Sequence, residues 1–122
     1  MLRLLLVVLF SLALAGVFSR EVQAMPGNIH GSVTAGTDST EVFTFAGDPV
    51  VGVIIGIEFQ RGEGLKTMTV SGHPSVVQVP EGNTNNWETY FRPLDVGEHT
   101  ITISTSAGHS NYTIRFRQPS GS

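Results

Sequence analysis

From residue 25 onward, apolar and polar positions alternate with a period of two, and Gly, Pro, Asn or Asp breaks the alternation about every eight to twelve residues. No stretch carries the three-to-four spacing of an amphipathic helix. The pattern predicts strands over 28–34, 41–46, 50–59, 65–70, 75–79, 87–92, 98–105 and 111–117. That is enough for two sheets, and the fold class expected is all-β, a sandwich or barrel.

Because neighbouring side chains of a strand project to opposite faces, the alternation also names the core. Phe43 with Phe45; Val51, Val53, Ile55, Ile57 and Phe59; Ile101 with Ile103; and Tyr112, Ile114 and Phe116 form the inward rows. Thr100, Thr102, Arg115 and Arg117 face outward, as do Gly52, Gly56 and Glu58. Gly52 and Gly56 copy a helix-dimer spacing, but they lie among β-branched residues and mark a bulge or a closely packed neighbour. Explicit turns fall at 46–49, 61–64, 71–74, 95–97 and 107–109, and the longest polar gap is 80–86.

The first 24 residues differ from the rest. Arg3 and the amino terminus are followed by an apolar run over 4–18, then by small residues at Val22 and Ala24. This is the layout of a secretory signal peptide cut after Ala24, and the run is short for a membrane span. The expected organisation is a leader at 1–24, one domain at 25–117 and a frayed tail at 118–122, with the product secreted or periplasmic. Without the leader, five basic and nine acidic side chains remain, a net charge of −4, so nucleic acid is not an expected partner. No membrane partner is expected after cleavage. With no cysteine, stability has to come from the core, a bound ion or a partner.

Three segments together resemble a known family. They are Glu41-Val42-Phe43-Thr44-Phe45 followed by Gly47-Asp48; the strand at 65–70 before a glycine turn; and 93–103, with Gly97 opening a Thr-Ile-Thr-Ile strand, then Gly108 and Asn111-Tyr112-Thr113-Ile114. This layout is similar to the bacterial pre-peptidase C-terminal domain, which accompanies secreted proteases. The resemblance implies an antiparallel, jelly-roll-like two-sheet sandwich with an accessory role. Where members commonly carry an acidic pair before the first aromatic, this chain has Ser39, Thr40 and Glu41.

Candidate chemistry is sparse. The histidines at 30, 73, 99 and 109 lack the short spacing of a metal motif and are read as solvated or turn-packing residues. No G-x-S-x-G or H-E-x-x-H sequence occurs, so no enzyme is expected. Asp38, Glu41 and Asp48 flank the first long strand and are the candidate calcium ligands, although they lack D-x-D spacing; no other cofactor is expected. Trp87, Tyr90 and Arg92, beside the amide-rich loop with Asn83, Asn85 and Asn86, are the best ligand-facing set. Parity with Phe91 turns Trp87 toward the core and leaves Tyr90 and Arg92 outside. Asn111-Tyr112-Thr113 matches a glycosylation acceptor but opens a strand. The function expected is a non-catalytic binding module for extracellular polysaccharide or protein; the alternative is a structural subunit of an envelope or matrix assembly that pairs through strand edges.

Overall fold

The computed structural model describes residues 25–60, 63–82 and 86–119; the expected leader at 1–24 lies outside them. Eight strands follow in order: β1 (Ile29–Thr34), β2 (Ser39–Phe45), β3 (Val53–Phe59), β4 (Lys66–Val70), β5 (Val76–Val79), β6 (Trp87–Phe91), β7 (Gly97–Thr105) and β8 (His109–Arg117). They build two antiparallel sheets of four, ordered β1-β8-β3-β6 and β2-β7-β4-β5. Successive strands alternate between the sheets until β4 and β5, which pair as a hairpin, and this winding is a jelly roll. Every predicted strand is present.

Side chains at every second position meet between the sheets. Val53, Ile55, Ile57 and Phe59 of β3, Ile114 and Phe116 of β8, and Phe91 of β6 face Phe43, Phe45, Met68, Val70, Val77, Val79, Ile101 and Ile103 of the other sheet, all buried. The Phe43 and Phe116 rings touch across the gap, with centroids 4.9 Å apart. Removing this much apolar surface from water drives the closure of the two layers.

Strand bounds shift from the sequence reading by up to three residues, and three departures have local reasons. β3 starts at Val53 instead of 50, because Gly52 turns the chain with φ of +74° and donates its N–H to the Asp48 carbonyl at 2.9 Å. Val51 therefore sits half-buried in the turn and does not belong to the β3 core row. β2 starts earlier, at Ser39, because Ser39 pairs with Ile103 and shares the inward parity of Phe43. Packing also continues past residue 117. Gln118 lines a cleft of about 250 Å³ with Met25, Phe45 and Val51, and Pro119 is buried; 120–122 lie outside the described residues.

Candidate functional site

The outer face of the β1-β8-β3-β6 sheet carries Tyr90. Strand register sets Arg117, Ile54 and Tyr90 in one row across β8, β3 and β6, and Arg115, Gly56 and Glu88 in the next. Tyr90 is 38% exposed, and the Arg92 guanidinium lies 4.4 Å from its ring centroid, a cation–π pair at the sheet edge. Arg117 reaches across β3 to hold Glu88 through two hydrogen bonds, donated by Nε at 2.9 Å and by an η nitrogen at 3.0 Å. That grip lowers the Glu88 carboxyl below its usual range and raises the arginine. Arg115 donates to Glu58 at 3.1 Å on the same face.

Gly56 explains how Asn86 joins this face. A Cβ there would meet Asn86 Oδ1 at 2.7 Å, so the missing side chain leaves room for the Asn86 amide. Gly52 answers to a different constraint, since a Cβ on it would lie 2.0 Å from the Phe91 carbonyl oxygen. Close approach of a neighbour accounts for both glycines.

Of the residues expected to face a ligand, the fold brings Tyr90, Arg92 and Asn86 to one edge. Trp87 is half-buried and packs against the core, consistent with its parity to Phe91. Asn83 and Asn85 lie outside the described residues. Sequence reasoning misses Ile54, Glu88 and Arg117 as neighbours of Tyr90. Glu88 shares the parity of Tyr90 and is within reach of the alternation rule; Ile54 and Arg117 require the sheet order, which no local pattern contains.

The acidic residues are engaged separately. Glu41 accepts a hydrogen bond from the Tyr112 hydroxyl at 2.6 Å, and Ser39 Oγ stands 2.6 Å from the same hydroxyl. Asp48 accepts from the Val50 N–H at 2.9 Å within its own turn. Asp38 is exposed just ahead of β2. Among the described residues no group of three or more His, Asp or Glu gathers as a metal-holding cluster. The Tyr112 hydroxyl is pushed up to about 12, first by burial and then by the Glu41 carboxylate, with Ser39 acting in the opposite sense.

Two of the histidines pack turns. His99 is buried, stacked on Phe43, with its two ring nitrogens 2.7 Å from the Ser71 and Asp95 carbonyls. His73 Nδ1 accepts from the Ser75 N–H at 3.2 Å and its ring meets Phe91 edge-on. His30 and His109 bond to Thr113 and Thr34 on the surface.

One buried cation has no counterpart among the sequence expectations. Lys66 is fully buried in β4, donates to the carbonyls of Glu63 at 2.5 Å and Gly64 at 3.3 Å, and lies 5.3 Å from the Phe59 ring centroid. Burial lowers its ammonium below the ordinary lysine value, and the carboxylates of Glu63 and Glu81 oppose the change. Its parity with Met68 and Val70 is the signal that could have found it. Compared with known families, curated proteins and solved structures, the chain matches none.

Proposed function

We propose that this chain is a non-catalytic binding module for an extracellular polysaccharide or protein, and that it grips its partner through the β6 edge. The observation that carries this reading is the exposed Tyr90 ring with Arg92 against it on the edge strand of a well-packed sheet, with Asn86 on the same face at the other end of that strand. An aromatic face stacks on a sugar ring or an apolar side chain, while a guanidinium and an amide supply directional hydrogen bonds at its margin. Strand packing beneath fixes these groups in advance, which limits the ordering cost of binding. The leader-like segment at 1–24 and the resemblance to accessory domains of secreted proteases support an extracellular setting.

The test is retention of the purified protein on a panel of polysaccharides and matrix proteins, with Tyr90→Ala and Arg92→Ala beside the parent. Retention that both substitutions abolish supports the reading. No retention on any member, with concentration-dependent self-association instead, overturns it in favour of an assembly subunit pairing through strand edges.

A further inference from the structure

His99 of β7 is 6% exposed and sits opposite Phe43 of β2 in the strand register. The two rings stack, with centroids 5.6 Å apart and planes 24° from parallel. Nδ1 stands 2.7 Å from the carbonyl oxygen of Ser71, in the turn between β4 and β5, and Nε2 stands 2.7 Å from that of Asp95, in the turn between β6 and β7. Two turns therefore meet on one imidazole.

Both facing atoms are acceptors, and a carbonyl oxygen has no proton to offer. A neutral imidazole has a single N–H, so one of its nitrogens would set a lone pair against an oxygen at 2.7 Å; the imidazolium donates from both. These lengths belong to charge-assisted bonds, which run from about 2.7 to 2.9 Å, and the face of Phe43 offers the electron-rich surface that a cation prefers. Burying a charge is costly, and these three contacts stand in for its water. His73 is the contrasting case, because its Nδ1 accepts from the Ser75 N–H at 3.2 Å and must keep a lone pair to do so.

The charged groups on the surrounding segments are engaged elsewhere or exposed. Asp95 and Glu98 are exposed neighbours in the chain, and Arg92 is exposed ahead of the same turn. Glu41 of β2 is held by Tyr112, and Lys66 lies at the far end of β4 from Ser71. On β8, Arg115 and Arg117 are paired with Glu58 and Glu88. Among the described residues none of these carboxylates forms an ion pair with His99, so backbone oxygens hold its proton.

We propose that His99 is a buried imidazolium that latches the β6–β7 turn onto the β4–β5 turn and releases it on losing a proton. The two sides of the latch are unequal. Ser71 is tied to β7 twice more, its N–H donating to the Thr100 carbonyl and its hydroxyl accepting from the Thr100 N–H, both at 2.9 Å. Asp95 and Val96 are exposed, and Gly97 after them has φ of +131° with open space around it. A ring left with one N–H therefore keeps Ser71, and the Asp95 carbonyl turns out to water about Gly97. Leu94, buried and donating to the Pro49 carbonyl at 2.9 Å, is the fixed point on the other side. This inference does not rest on the Tyr90 edge.

The experiment is nitrogen NMR of the histidine rings in the isotope-labelled protein over a pH series, with His99→Gln to assign the His99 signals. At about pH 7.5, a unit above the ordinary histidine value of about 6.5, both ring nitrogens of His99 should carry a proton, whereas N-acetylhistidine in the same buffer carries one. As the pH is raised until the ring titrates, Nε2 should lose its proton, and the heteronuclear NOE of the Val96 amide should fall while that of Ser71 holds. In urea, the stability margin of the parent over His99→Gln should shrink as pH climbs above about 6.5, because the unfolded chain gives up its proton there and the fold keeps it. An unprotonated ring nitrogen at about pH 7.5 overturns the proposal. So does a titration that leaves Val96 as rigid as before, or a margin that does not shrink. If His99→Gln does not fold, the ring is assigned through its contact with Phe43 and the parent's spectra decide alone.

Discussion

Replacing Tyr112 by Phe removes the hydroxyl through which β8 reaches the polar side chains of β2, a strand of the opposite sheet. That hydroxyl donates to Glu41 at 2.6 Å and lies 2.6 Å from Ser39 Oγ, beneath Gly31, whose Cβ would come within 2.5 Å of it. A hydrogen bond to a charged group contributes about 1.5–3 kcal/mol and a neutral one about 0.5–1.5 kcal/mol. Glu41 is half-buried and regains water when its partner goes, so the expected loss at pH 7 is near the lower end, about 2 kcal/mol. Urea denaturation should report a lower midpoint with an unchanged slope.

The effect of pH provides a stricter check. The folded hydroxyl is raised to about 12, while the unfolded one ionises at the ordinary value of 10.0. Below pH 10 both states keep the proton and the full contribution is present. Between pH 10 and 12 only the unfolded chain loses it, so the contribution disappears as pH rises. An interval this wide corresponds to roughly 3 kcal/mol, enough for the stability difference between parent and Tyr112→Phe to close across it. A difference below about 0.5 kcal/mol at pH 7, where substitutions without a buried partner fall, would refute the reasoning, as would one that stays constant up to pH 12.

Other sites allow comparable checks. Gly52→Ala should cost at least about 3 kcal/mol by thermal unfolding, because positive φ and a clash with the Phe91 carbonyl act together; Gly36→Ala, with φ of +89° and open space around it, should cost only about 1 kcal/mol. Lys66 is lowered in the fold, so the unfolded chain holds its proton more tightly, and stability should rise as pH climbs toward 10.5. Lys66→Met should lack that rise in urea titrations at successive pH values; an identical rise in the variant would assign it to other groups.

Much of the fold can be read from alternation, because a strand buried on one face must repeat its apolar residues every second position. That rule alone assigns Phe43, Ile57, Ile101 and Ile114 inward, and all four are buried. What the rule misses is chemistry that satisfies parity with a polar group. Lys66, His99 and Glu41 occupy inward positions because carbonyls or a hydroxyl meet them there; Glu63 and Asp95 are near in the chain, but Ser71 and Tyr112 come from distant segments. The surface is less legible still. Tyr90 and Arg92 can be identified locally, but the row that joins Tyr90 to Ile54 and Arg117 exists only once β6 is set beside β3. Thr69 and Thr102 likewise become neighbours only through the pairing of β4 with β7.

β1 and β8 run antiparallel side by side, with Ile29 opposite Ile114, so the chain enters and leaves the domain at the same corner. Tension applied through the two ends would load their shared ladder at its terminal rung and peel it one bond at a time, instead of shearing all rungs at once. In a single-molecule pulling experiment β1 should detach early and at low force, and a tether joined through this corner would act as a soft fuse between whatever it connects.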